Sequence, residues 1–176
     1  MSFVSFCPKG RGGLEVIRKG KAGQPNEFGK MVKVQEAEGQ IVTHFEVYAQ
    51  RPADSNLLTP AIEIHQQRTG RIPDLVADDA GFHEAKNKAA ARQAGLKRVS
   101  VPSCFTKSAE LRREQKKRWF KKGQKWRTGC EGRISVRKRR HGLNRCRYKG
   151  EDGMKRWTGL GIIADNRINI GKAMAK

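Results

Sequence analysis

The sequence predicts an α/β protein in which a mixed sheet has helices on its faces and a basic helical part follows. Three observations support this prediction. The segments between residues 31 and 101 follow the order ββαβαβ, and the pattern from residue 108 onward is helical. The chain has 176 residues, which is enough for one domain with a sizeable core.

Two β-rich runs come first, at 31–35 and 40–48, and the second run alternates in polarity. Gly39 lies between them and can adopt the positive φ of a hairpin turn. These two segments are therefore predicted to pair as antiparallel strands.

Helices and strands alternate in the next part of the chain. Apolar residues recur at helical spacing from Leu57 until Gly70 ends the run. A short apolar strand is predicted at 75–77, an Ala-rich helix at about 83–94, and another strand at 99–101. Because parallel strands need helical crossovers, this order is typical of a mixed sheet covered by helices.

The C-terminal part is predicted to be helical. A basic helix runs through Trp119 to a break at Gly123, and a second helix follows at about 125–140. A loop at 142–150 and a last helix at about 152–170 complete the chain. By contrast, residues 1–25 are rich in Gly, Lys and Pro without any period, so we predict a poorly ordered arm there and one folded domain over 26–176.

The charge of the chain is concentrated in one segment. Lys and Arg number 38 against 17 Asp and Glu, a net charge of +21. Residues 107–149 hold 18 basic and 3 acidic residues, a net charge of +15. Apolar residues such as Trp119 and Ile134 are interleaved with these cations, which a solvated tail would not need. The segment is therefore expected to be folded and to bind a polyanion, of which nucleic acid is the most abundant in a cell.

Other classes of protein are excluded or disfavoured by composition. No apolar run approaches the roughly 20 residues that cross a bilayer, and the basic residues of the N-terminal segment follow its short apolar run, unlike those of a signal peptide, so a cytosolic protein without a membrane partner is expected. The four cysteines form no C-x-x-C pair, which argues against a zinc ribbon and favours reduced, buried thiols.

Two carboxylates are candidates for chemistry. Asp79 directly follows the predicted strand at 75–77, a position where open α/β sheets present functional groups, although it could instead cap the following helix. Glu131 is the only acidic residue between Glu114 and Glu151, although it could be a surface partner of Arg127. Paired carboxylates with cations beside them suit Mg²⁺-dependent phosphodiester chemistry.

The surroundings of Glu131 strengthen this interpretation. A helix would place Arg127, Glu131, Ser135 and Lys138 near one face, so that cations bracket the acid. Glycines lie two residues before and one residue after Glu131, and glycine is costly inside a helix. We therefore expect a ligand or another chain segment to approach the helix there.

These residues resemble motifs of bacterial insertion-sequence transposases of the DDE class. The segment 76–82, VADDAGF, is similar to their second acidic motif, in which Asp-x-Gly-Phe/Tyr follows a strand. Arg127, Glu131 and Lys138 match the spacing of the third motif: Arg, three residues, Glu, six residues, Lys. The resemblance extends from about residue 14 to the C-terminus.

The resemblance implies a fold and a reaction. The fold would be a ribonuclease-H-like mixed sheet flanked by helices, and the reaction would be DNA strand cleavage and transfer with two Mg²⁺ ions. Asp79 and Glu131 would be the second and third metal-binding acids, and Lys138 would contact transposon-end DNA. We expect basic residues near Glu131 to bind DNA as well: Arg127, Arg133, Arg139 and Arg140. The partners would be terminal repeats and target DNA, together with a second copy or a full-length transposase, in the bacterial cytoplasm near the nucleoid.

The chain departs from the family pattern at two places. Gln124 replaces the Tyr that usually lies three residues before the Arg. No acidic residue in a strand-like run precedes Met31, so we expect the first strand and the first catalytic Asp to be missing. The chain would then be the C-terminal part of a transposase from a truncated or frameshifted element, inactive on its own.

Two alternatives remain at the level of sequence. A non-catalytic basic nucleic-acid-binding protein would explain the charge through phosphate contacts. An RNA-binding protein of ribosomal type would also explain the charge, but not the spacing of Asp79 and Glu131.

Overall fold

A five-stranded mixed sheet forms the centre of the protein, which a computed structural model describes over residues 1–11, 16–18, 26–28, 30–103 and 106–175. The strands are β1 (Ser2–Phe6), β2 (Lys9–Arg11), β3 (Val16–Arg18), β4 (Asn26–Phe28), β5 (Met31–Glu36), β6 (Val42–Tyr48), β7 (Leu75–Ala77), β8 (Arg98–Ser100) and β9 (Arg145–Lys149). The helices are α1 (Leu58–Thr69), α2 (Ala85–Gln93), α3 (Ala109–Lys116), α4 (Arg118–Arg140) and α5 (Gly150–Met174).

The central sheet has the strand order β6-β5-β1-β7-β8. Strands β1, β5 and β6 pair antiparallel, whereas β7 is parallel to β1 and to β8. The predicted hairpin is confirmed as β5 and β6, and Gly39 in its turn has a φ of 68°. The coarse prediction of a mixed sheet with helices is therefore confirmed.

The prediction that the first strand is missing is wrong. Ser2–Phe6 lies at the centre of the sheet, with Ser2 opposite Glu36 of β5 on one side and Ala77 of β7 on the other. This segment was expected to belong to a poorly ordered arm because five residues next to Pro8 and Gly10 give little periodic signal. Hydrogen bonds to strands on both sides determine its conformation, and these partners are distant in sequence. Residues 12–15 and 19–25 of the predicted arm lie outside the described residues.

Helices cover both faces of the sheet. Helices α1 and α2 enclose one apolar core, in which Met31, Leu58, Ile62 and Val76 are almost completely buried. Helices α4 and α5 enclose the other core, which includes Phe6, Val32, Val34, Ile134 and Ile162. Neighbouring residues of β5 thus point to opposite cores, as the pleat of a strand requires.

The C-terminal half differs from the prediction in two details. The expected break at Gly123 is wrong: α4 continues through it, and the chain breaks instead at Lys117, whose ψ of 145° is extended. A β-carbon on Gly123 would come within 2.9 Å of the Ser100 side chain, so the glycine lets α4 approach β8 closely. The expected loop at 142–150 contains β9, which pairs in parallel with β2.

None of the helices in the described part of the chain is both long and apolar enough to cross a membrane. Cys130 and Cys146 are buried, as the sequence predicted, and burial raises the pKa of the Cys130 thiol to about 11. Cys104 lies outside the described residues.

Candidate functional site

Asp79 and Glu131 lie close together, although they are far apart in sequence. Arg127 connects them, because its Nη2 is 3.3 Å from Asp79 Oδ2 and 2.8 Å from Glu131 Oε1. Both carboxylate side chains are about half exposed, at 45% and 50%, whereas Arg127 is mostly buried. The carboxylates therefore face solvent on either side of one guanidinium.

The end of β7 positions Asp79. Its Oδ1 accepts a hydrogen bond of 2.9 Å from the backbone N–H of Gly81, so the side chain caps the short 3₁₀ turn that follows. Asp79 therefore caps this turn through Oδ1 and not helix α2, whose N-cap is Glu84, while Oδ2 contacts Arg127. A β-carbon on Gly81 would lie 3.1 Å from Asp79 Oδ1 and 3.2 Å from Asp54 Oδ2. Gly81 therefore lets two carboxylates approach the turn.

Asp78 is a buried acid that the sequence did not single out. Its Oδ1 accepts a hydrogen bond of 3.0 Å from the backbone N–H of Asp79, and its Oδ2 is buried without a partner among the described residues. Burial raises the pKa of the Asp78 carboxyl well above its usual value, and the nearby charges of Asp79 and Asp54 add to this effect. The end of β7 thus carries two carboxyl groups in different environments, and Asp54 approaches them from the turn before α1.

Gln124 attaches α4 to the ends of β7 and β8. Its Nε2 donates hydrogen bonds to the backbone carbonyl of Asp78 at 3.1 Å and to Ser100 Oγ at 3.1 Å. Because Arg127 lies one turn further along α4, this attachment places its guanidinium next to Asp79. The residue that departs from the family pattern therefore has a positioning role in this chain.

Asp79 and Glu131 offer carboxylate oxygens to a divalent cation. Two half-exposed carboxylates that share one hydrogen-bond donor are oxygen ligands of the kind that Mg²⁺ prefers, since Mg²⁺ keeps several water ligands and needs few from the protein. Over the described ranges, no group of three or more His, Cys, Asp and Glu side chains could hold a metal ion. Strand β1, with the sequence SFVSF, contributes no acid. The donor set fits Mg²⁺ as a partial ligand set of two carboxylates.

Two of the arginines on α4 belong to a buried network. Arg137, only 2% exposed, donates to Glu36 Oε2 at 2.9 Å and to Asp165 Oδ2 at 2.7 Å. Arg133 donates through Nε to Glu36 Oε1 at 2.7 Å. His141 Nε2 lies 3.3 Å from Asp165 Oδ1. The network ties β5, α4 and α5 together and uses Arg133, which was expected to bind DNA.

The remaining predicted DNA contacts lie on the outside of α4. Arg139 and Arg140 are exposed and have no carboxylate partner in the part of the chain that the structure describes. Lys138 lies with its ammonium 5.4 Å from the centre of the Phe6 ring, a cation–π distance. Lys138 follows Glu131 by seven residues, about two turns along α4, whereas Arg127 contacts both acids directly.

Sequence reasoning missed two parts of this region. Strand β9 was expected to be a loop, yet it exposes Arg145, Arg147 and Lys149 at every second position. The alternation in RCRYK was a signal for this strand. Glu36 and Asp165 gave no comparable signal, since only the tertiary structure brings them to Arg137. The glycines near Glu131 have unequal roles: Gly129 is close to the Arg133 side chain, while Gly132 faces open space.

Comparison with known proteins assigns part of the chain. A family model described as "Transposase DDE domain" matches residues 87–172. The matched segment runs from α2 into α5 and includes Arg127 and Glu131, and Asp79 lies just before it. No match was found among curated proteins or among solved structures.

Proposed function

We propose that this chain acts on DNA as part of a transposase, with Asp79 and Glu131 as metal-binding acids, because its residues 87–172 match the family model of the transposase DDE domain. The observation that carries the proposal is the meeting of Asp79 and Glu131 at one nitrogen of Arg127. These are the two acids that match the family motifs.

The acids would hold Mg²⁺ through Asp79 Oδ2 and the Glu131 carboxylate. A bound Mg²⁺ would stabilise negative charge on the attacked phosphate and activate a water or hydroxyl group. The chain itself supplies the placement of these oxygens: β7 and the Gly81 N–H orient Asp79, and Gln124 holds the α4 turn that carries Arg127. Half exposure of both carboxylates leaves room for a DNA phosphate.

Exposed cations would bind the DNA backbone. They have no carboxylate partner within the described residues, so they are free to contact phosphates. On α4 they are Arg118, Lys121, Lys122, Lys125, Arg139 and Arg140. Strand β9 adds Arg145, Arg147 and Lys149, and it follows directly after the end of α4.

The arrangement of the sheet supports a ribonuclease-H-like core. In such cores the first and fourth strands bring acids together with a Glu from a later helix. Here β1 is the first and β7 the fourth strand of the five-stranded sheet in chain order, and they are adjacent and parallel. Since β1 contains no acid, we propose that the chain binds DNA but cleaves it negligibly on its own.

DNA binding is tested with a fluorescein-labelled 30-base-pair duplex over a series of salt concentrations. The double variant Arg139→Gln with Arg140→Gln should make the negative slope of log K against log salt shallower by about 0.9 per arginine. The matched control is Lys86→Gln with Lys97→Gln, since these lysines are already paired with Glu84 and Asp74. An unchanged slope in the arginine variant would contradict the proposed surface, and tighter binding to structured RNA would favour an RNA-binding protein.

Cleavage is tested by nicking of supercoiled plasmid in the presence of Mn²⁺. We expect negligible nicking by the chain alone, and the variants Asp79→Asn and Glu131→Gln should bind the duplex as the wild type does. Robust nicking that is lost in Glu131→Gln would show that two carboxylates suffice and would contradict the proposed inactivity.

A further inference from the structure

Arg127 occupies the space between the two candidate metal ligands. We infer that its guanidinium and a divalent cation compete for the same carboxylate oxygens, so that metal binding displaces Arg127. This inference rests on the proposed function, because it takes Asp79 and Glu131 as the metal site.

The competition follows from the hydrogen bonds of Asp79. Its Oδ1 is engaged by the backbone N–H of Gly81 at 2.9 Å. The other oxygen, Oδ2, is the one that Arg127 Nη2 contacts at 3.3 Å. A metal ion that binds Oδ2 therefore competes with the Arg127 donor for the electron density of the same oxygen.

The charges of Asp79, Glu131 and Arg127 also favour competition between the guanidinium and a cation. Among the described residues, the ion pairs of Asp79 and Glu131 are all with Arg127. The guanidinium thus compensates the repulsion between two neighbouring carboxylates when no metal is present. A divalent cation would take over this role, and the two positive groups would then repel each other.

Arg127 is also incompletely bonded in this position. Its Nε is buried and has no hydrogen-bond partner in the described structure, and one Nη2 supplies both contacts to the acids. A buried donor without an acceptor raises the free energy of this arrangement. Once displaced, the guanidinium could bind a DNA phosphate in a bidentate manner, in accord with the DNA contact expected for Arg127 from the sequence.

The experiment measures the affinity of Mn²⁺ alone by electron paramagnetic resonance, without DNA. The variant Arg127→Gln should bind Mn²⁺ roughly three- to tenfold more tightly than the wild type, as expected when partly exposed ion pairs no longer compete. The matched control is Arg139→Gln, which removes the same charge from the same helix about 18 Å away. We expect the affinity of this control to change less than twofold, because exposed charges at that distance are screened by salt.

Weaker or unchanged Mn²⁺ binding in Arg127→Gln would overturn the competition. Retained binding in both Asp79→Asn and Glu131→Gln would instead overturn the proposed metal site, so the two failures are distinguishable. A measurement on the wild type avoids dependence on variants that fold poorly: the arginine side-chain NMR signals are followed while Mg²⁺ is added. The Arg127 signal should shift and its N–H protons should exchange faster with water, and an unchanged signal at saturating Mg²⁺ would also contradict the inference.

Discussion

The arginines of α4 are of one type but lie in different surroundings. Arg127, Arg133 and Arg137 each bond to a carboxylate of another element or of the same helix. Arg139 and Arg140 are exposed and bond to no carboxylate within the described structure. Residue type alone therefore does not assign a cation to DNA binding. A cation is free to bind DNA only where the fold places no carboxylate beside it.

The largest expected effect is the loss of stability on replacing the buried arginine. Arg137→Ala removes the guanidinium that buried Glu36 and Asp165 share and leaves them with Arg133 and His141, which should lower the free energy of unfolding by about 3–5 kcal/mol. Urea denaturation followed by circular dichroism measures this loss. The matched control Arg139→Ala should change stability by less than about 0.5 kcal/mol. Equal losses in the two variants would contradict the distinction between paired and unpaired arginines.

An intermediate effect is expected at Arg133, which the sequence assigned to DNA binding and the structure pairs with Glu36. Arg133→Gln removes a charge-assisted hydrogen bond to Glu36, so stability should fall by about 1.5–3 kcal/mol. Duplex binding by this variant should depend on salt as that of the wild type does, since the Arg133 guanidinium of the wild type is already paired with Glu36. A shallower dependence of duplex binding on salt, together with unchanged stability, would show that Arg133 binds DNA, as the sequence predicted.

The smallest expected effect concerns a buried cation outside α4. Lys33 on β5 is almost completely buried beside Glu46 and the Tyr48 ring, and burial lowers the pKa of its ammonium group. The unfolded chain therefore binds more protons than the folded one between the two pKa values of Lys33, so wild-type stability rises with pH in that range. Lys33→Met should be more stable than the wild type at pH 7, with a difference that shrinks as the pH rises toward 10.

Thermal unfolding at several pH values between 7 and 10 measures this difference. The exposed Lys97→Met is its control and should give a difference that does not depend on pH in the same way. A stability difference between Lys33→Met and the wild type that widens with pH would contradict the lowered pKa of Lys33.

Local patterns predicted several parts of the fold. The hairpin of β5 and β6 followed from two β-rich runs around Gly39, and α1 followed from its apolar spacing and from Gly70, whose φ is 68°. These elements depend on neighbours in sequence, so their signals are local. The nearness of Asp79 and Glu131 was expected from two motifs, and the structure places both at Arg127.

Other parts depended on contacts that no local pattern records. Strand β1 is only five residues long, and its conformation comes from pairing with β5 and β7. The role of Arg133 could not be predicted, because Glu36 reaches it from a strand 97 residues away. The contact between Gln124 and Asp78 also joins segments that are distant in sequence, so no local pattern predicted it.

Sequence patterns alone predicted a mixed α/β fold, the basic character of the C-terminal half and two acids whose surroundings resemble transposase motifs. These properties follow from composition, periodicity and short spacings, which do not depend on contacts with a distant segment of the chain. Only the tertiary structure decided which strand lies at the centre of the sheet and which arginines remain free. Hydrogen bonding and charge compensation between distant segments depend on three-dimensional proximity, and the folded chain alone brings those segments together.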